Sequence, residues 1–88
     1  MLPVFIELTF SNEKGKVIVN VNNIEMIEER TYANENRDIY SNIVYSSGRI
    51  LSIKETPDEI REKIKKAREK AVIDMMIRIH AMGLLPGK

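Results

Sequence analysis

The chain has 88 residues, a formal net charge of +1 and no cysteine. This length suits one domain, and a domain this small often gains stability by assembling with other copies. The near-neutral charge argues against a global basic field for nucleic acid or membranes, and the missing cysteine excludes disulfides and thiol nucleophiles.

Residues 1–54 are predicted to form a five-stranded antiparallel β-meander. Apolar residues alternate with polar ones as in half-buried strands, and Gly15 and Gly48 suit tight turns between them. The polar segment 33–38 has no apolar period and is predicted to be a mobile loop. The predicted strands are 4–10, 16–21, a third that follows a short helical turn or bulge at 24–27 and ends near 32, 39–45 and 50–54.

Residues 56–82 are predicted to form one long helix. Thr56 and Glu59 have the spacing of a capping box, and Pro57 suits the first helical position. Gly83 is the natural stop, followed by a short tail. The chain is therefore expected to be a single α+β domain in which one C-terminal helix follows the meander.

The predicted helix has two unlike halves. In the first half Ile60, Ile64, Ala67 and Ala71 form one narrow apolar stripe. In the second half apolar residues surround most of the helix, and such a helix must be buried on several sides. A second copy of the chain is the simplest cover, so we predict a homo-oligomer. The predicted interface residues are Val72, Ile73, Met75, Met76, Ile77, Ile79 and the lone histidine, His80.

Asp74 and Arg78 lie four residues apart within this apolar segment. They form either an ordinary surface pair or a partly buried pair that fixes the register of helices in the oligomer. Both interpretations remain open from the sequence.

A group of basic residues is a candidate site for an anionic nucleotide. Arg61, Lys65 and Arg68 share one flank of the helix, while Arg49 and Lys54 come from the turn and strand before it. Arginine forks match phosphate oxygens, and Tyr45 could stack on a base. The alternative interpretation is a solvated helix face in which these cations pair with neighbouring acids.

Two further groups have both a functional and a structural interpretation. Tyr32, Tyr40 and Tyr45 either stack on a nucleotide ring or pack across strands. The acidic residues Glu25, Glu28 and Glu29 could bind a metal or exchange protons. Adjacent strand residues point to opposite faces, however, so Glu28 and Glu29 cannot easily converge on one ligand. The preferred interpretation is that these charges protect an edge strand from pairing with other chains.

Several segments together resemble the small flagellar FlbD-type family. They are FIELT (5–9), VNV (19–21) with IEMIEE (24–29), YSSGR (45–49) and IKETPDEI (53–60). The resemblance covers about residues 4–64 and implies a non-enzymatic protein, and small phage-borne proteins share the pattern. A longer loop after Arg30 and a longer helix distinguish this chain from the family.

Two other resemblances are narrower. The segment IEMIE is similar to a strand in half of a LytTR-type DNA-binding domain. The overall architecture also resembles phage proteins that sequester nucleotide immune signals between subunits.

The sequence favours a binding protein over an enzyme. It contains no Gly-rich phosphate loop, nucleophile elbow or zinc-protease motif, so we expect no enzymatic activity, cofactor or metal. The favoured hypothesis is that the chain is an oligomeric FlbD-like binding or adaptor protein. One form of this hypothesis is that a phage encodes it. The alternatives are a sponge for an anionic (cyclic) nucleotide immune signal and, less favoured, a nucleic-acid-binding regulator. No leader or spanning segment is recognised, so a cytoplasmic protein without a membrane partner is expected.

Overall fold

The computed structural model describes residues 3–81 and confirms the α+β class. The predicted stop at Gly83, Met82 and the tail lie outside the described residues. No helix within residues 3–81 combines the length and apolar character needed to cross a membrane. The elements are β1 (Phe5–Thr9), β2 (Lys16–Asn20), a 3₁₀ turn (Val21–Asn23), β3 (Ile24–Thr31), β4 (Ile39–Tyr45), β5 (Ile50–Ile53) and α1 (Pro57–Ala81).

The five antiparallel strands form two sheets, whereas the sequence predicted one meander. One sheet is the β1–β2 hairpin and the other has the order β3-β4-β5. Strands β2 and β3 do not pair because the 3₁₀ turn separates them, and the Asn20 side chain accepts a hydrogen bond from the Asn22 N–H at 3.0 Å. Such local side-chain bonds compete with strand pairing. The register also shifts between Ile24 and Met26, which places the predicted bulge at the start of β3.

The end of β1 joins the two sheets. Phe10 bridges to Ile53 in antiparallel fashion, and the Lys54 N–H donates to the Thr9 carbonyl at 2.8 Å. The two predicted turn glycines have positive φ, 118° at Gly15 and 91° at Gly48, as their turns require. Both sheets contribute residues to one common core.

The core is made of aliphatic residues from both sheets and the start of the helix. Leu8, Ile43, Ile53 and Ile60 are completely buried, and complete burial of such a side chain is worth about 1.5–3 kcal/mol. Ile60 is the contribution of α1, which continues the contact through the partly buried Ile64, Ala67 and Ala71. The predicted apolar stripe of the first half of the helix is confirmed. The other buried core residues are Val4, Ile6, Val19 and Val21.

The second half of α1 extends beyond this core. The helix has 25 residues, and a helix of that length spans about 37 Å. The radius of gyration is 16.8 Å, whereas a compact domain of this size has about 12 Å. The molecule is therefore elongated, with a long axis of 60 Å.

Candidate functional site

Glu55 connects both sheets to the helix at the β5–α1 junction. Its Oε1 accepts a hydrogen bond from the Thr9 N–H at 2.9 Å, and its Oε2 accepts bonds from the Thr9 hydroxyl at 3.0 Å and Lys63 Nζ at 3.2 Å. The buried Ser41 hydroxyl donates to the Glu55 carbonyl at 2.8 Å. The sequence analysis did not single out this residue, although it lies in a segment of the FlbD-type resemblance.

Hydrogen bonds favour the ionised form of the Glu55 carboxyl. Burial raises its pKa, but the hydrogen bonds from Thr9, its own backbone and Lys63 outweigh burial and lower the pKa below its ordinary value of 4.5. Lys63 also donates to the Glu7 carbonyl at 2.8 Å, so it ties the helix to β1. This group of contacts fixes where α1 lies on the sheets; we assign it a structural role.

The predicted capping box is confirmed at the start of α1. The Thr56 N–H donates to Glu59 Oε1 at 3.0 Å, and the Glu59 N–H donates to Thr56 Oγ1 at 3.3 Å. These bonds satisfy backbone donors that the first helical turn leaves without partners. Together with the buried Ile60, they set the rotation of the helix and therefore which side chains face each flank.

Three of the predicted basic residues lie together beside the β region. Arg61, Lys65 and Arg68 line an open cleft of about 540 Å³, which we call the α1 cleft. Arg61 forms an ion pair with Asp58 at 2.6 Å. None of the ion pairs among residues 3–81 involves Lys65 or Arg68. The remaining lining residues are Val21, Ile24, Ile64 and Glu69.

The other residues of the predicted basic pocket lie elsewhere. Arg49 and Tyr45 line a cleft at the β4–β5 turn, and Lys54 lines a third cleft with Tyr32 and Glu59. Arg49 and Lys54 flank the two ends of β5. Four strand residues span about 13 Å, so these two cations lie far apart. The predicted six-residue pocket is therefore reduced to three helix cations.

The tyrosines divide in a similar way. The Tyr32 and Tyr40 rings stack on each other with centroids 4.4 Å apart, which is the cross-strand packing that the sequence analysis considered. Tyr45 lies apart from that pair, in the cleft at the β4–β5 turn.

In the β3-β4-β5 sheet β3 is an edge strand, as the interpretation of the acidic residues expected. It carries Glu28, which forms an ion pair with Arg30 at 3.0 Å.

Five of the predicted interface residues are exposed large apolar side chains on the second half of α1. We call residues 72–81 the apolar half of α1; Ile79 is partly buried there and His80 is exposed. The exposed fractions are 48% for Val72, 55% for Ile73, 39% for Met75, 55% for Met76 and 59% for Ile77.

Asp74 and Arg78 line a small cavity of about 290 Å³ with Pro3, Ala71 and Met75. No ion pair joins the two charges.

The comparisons with known proteins do not identify a relative. No protein-family model matches the chain, and neither does any curated protein or solved structure. Within residues 3–81, no group of three or more His, Cys, Asp or Glu side chains is placed to hold a metal ion. The resemblance to the FlbD-type family stays a prediction.

Proposed function

We propose that this chain is a small non-enzymatic binding protein that works as a homo-oligomer, similar to the FlbD-type family in its β region. The observation that carries the proposal is the apolar half of α1, where five large side chains are each 39–59% exposed on consecutive turns. Monomeric soluble proteins rarely leave so much contiguous apolar surface in water.

A second copy of the chain is the occupant that we propose for this surface. The exposed side chains are flexible methionines and branched aliphatics, which pack well against their own kind. Asp74 and Arg78 also carry opposite charges, and neither forms an ion pair among residues 3–81. An isologous interface repeats every contact twice, so an Asp74–Arg78 pair between copies would form in both directions.

Native mass spectrometry of the gently purified full chain tests the proposal. We expect an oligomer for the unaltered chain and a monomer for the double variant Met76→Asp with Ile77→Asp, because each buried Asp would lose its hydration. Circular dichroism establishes whether the variant keeps its fold.

The matched control is Ile18→Asp with Ile50→Asp. These residues are 70% and 57% exposed but lie on strands, outside the proposed interface. The control is expected to keep the native mass. A monomeric unaltered chain, or an oligomer that survives the Met76/Ile77 change, would overturn the proposal.

Capture of an anionic nucleotide at subunit interfaces is the second candidate function. It is favoured by the α1 cleft, because Arg61, Lys65 and Arg68 meet there. In the same mass spectrum, extra mass of nucleotide size on the oligomer would support this candidate. A bare oligomer would favour an adaptor that binds another protein.

A further inference from the structure

The α1 cleft and one side of the apolar half of α1 belong to one continuous stripe on the helix. Its residues follow one another at spacings of four and three, which keeps them on one flank of an α-helix. The first three residues line the α1 cleft, and the next two are exposed and apolar. The stripe consists of Arg61, Lys65, Arg68, Val72, Met75 and Ile79.

The lining of the α1 cleft suits a ligand with two unlike parts. Arg61, Lys65 and Arg68 can donate to phosphate oxygens, arginine as a fork and lysine as a point charge. Three aliphatic side chains in the lining suit an apolar or aromatic ring: Val21, Ile24 and Ile64. Glu69 is the acidic residue of the lining, and its carboxylate can accept bonds from ligand hydroxyls. The cleft volume of about 540 Å³ lies in the range of small-molecule sites.

A second copy on the apolar half would also border the α1 cleft. Arg68 and Val72 are four residues apart, about 6 Å along the helix axis, and a packed helix is about 10–12 Å wide. A partner helix that covers Val72 and Met75 therefore reaches the edge of the cleft at Arg68. That partner would add surface to the cleft at its Arg68 end.

We propose that the α1 cleft binds a phosphate ester that carries an aromatic ring, such as a nucleoside diphosphate, and that a second copy completes the site. This inference rests on the proposed homo-oligomer. It narrows the ligand of the second candidate function to a phosphate ester with an aromatic ring, and it makes ligand binding and self-association depend on each other. A ligand that binds the oligomer better than the monomer stabilises the oligomer by mass action.

Calorimetric titration of the full chain with ADP tests the site, and inorganic phosphate is the second probe. We expect Arg68→Ala to weaken ADP binding about tenfold or more, because it removes a charge-assisted contact to phosphate. The matched control is Lys66→Ala. This substitution removes the same charge from the same helix, but Lys66 does not line the cleft. Its Nζ lies 4.0 Å from Glu62 Oε1. We expect the control to bind ADP as the unaltered chain does.

Sedimentation of the full chain with and without millimolar ADP tests the dependence on a second copy. We expect ADP to tighten self-association several-fold in the unaltered chain and in Lys66→Ala, but not in Arg68→Ala. The folded monomer made by Met76→Asp with Ile77→Asp is expected to bind ADP at least about tenfold more weakly, because its cleft is incomplete.

The outcomes separate this inference from the proposed function. An oligomer that does not bind ADP, or that binds it equally after Arg68→Ala and Lys66→Ala, overturns the inference and leaves the proposed function standing. Phosphate that binds as tightly as ADP overturns the ring contact. An unaltered chain that stays monomeric while binding ADP overturns both the proposed function and the role of a second copy.

Discussion

At the scale of single residues, Glu55 is predicted to link folding stability to pH. A carboxyl whose pKa is lowered by folding contributes stability that is present above its unfolded pKa and is lost as pH falls through its folded pKa. The ordinary pKa is 4.5 and the folded one is lower. Glu55→Gln should therefore lower the free energy of unfolding by about 1–3 kcal/mol at neutral pH. The difference from the unaltered chain should shrink below pH 4.5, as seen in urea unfolding at several pH values.

The control for this prediction is Glu13→Gln, which removes a carboxylate from an exposed turn. We expect it to leave the stability and its pH dependence unchanged. If Glu55→Gln and the unaltered chain lose stability in parallel as pH falls, the Glu55 carboxylate does not stabilise the fold.

Contacts between residues close in the sequence were predictable, whereas contacts between distant residues were not. The capping box of Thr56 and Glu59 was predictable because both partners lie within one helical turn. The contact between Thr9 and Glu55 joins residues 46 positions apart. No local pattern records such a pairing, so the role of Glu55 could not be predicted from the sequence.

At the scale of elements, apolar periodicity was a good guide to where strands and helix lie. The predicted bounds of β4, 39–45, are those of the structure, and the helix extends over Pro57–Ala81. Which strands pair was less accessible, because Asn20 and the 3₁₀ turn interrupt the chain between β2 and β3. The same limit applied to the candidate site, since only the cations on one helix could be placed together from spacing alone.

Charge reversal within α1 tests whether Asp74 and Arg78 pair between copies. Neither side chain forms an ion pair in the part of the chain that the structure describes. In an antiparallel pair of helices whose twofold axis passes near Met76, Asp74 of one copy would lie level with Arg78 of its partner. We therefore expect Asp74→Arg or Arg78→Asp alone to weaken self-association about tenfold or more, and the double exchange to restore it. Sedimentation equilibrium measures the effect.

The comparison variant for this exchange is Lys66→Glu, which reverses an exposed charge on the first half of the same helix. It should leave self-association unchanged. If the double exchange is as weak as either single change, the two residues do not pair across the interface.

At the scale of the whole molecule, the core stabilises only part of the helix. Ile60 is fully buried, and contact with the core continues only as far as Ala71. The ten residues beyond it would form a marginal helix on their own, since isolated helices shorter than about 12–15 residues are barely stable in water. Their order in the oligomer would therefore come from the partner copy, and stability would become a property of the assembly.

The thermal unfolding midpoint is therefore expected to rise with protein concentration, because mass action stabilises an assembly that only folded chains can form. Circular dichroism melts over a wide range of concentrations measure the shift. The Met76→Asp with Ile77→Asp variant should unfold at the same temperature at every concentration, since it cannot associate. The Ile18→Asp with Ile50→Asp control should keep the shift. A midpoint independent of concentration in the unaltered chain would mean that one chain alone stabilises the whole helix, and the exposed side chains at 72–77 would then need a different partner.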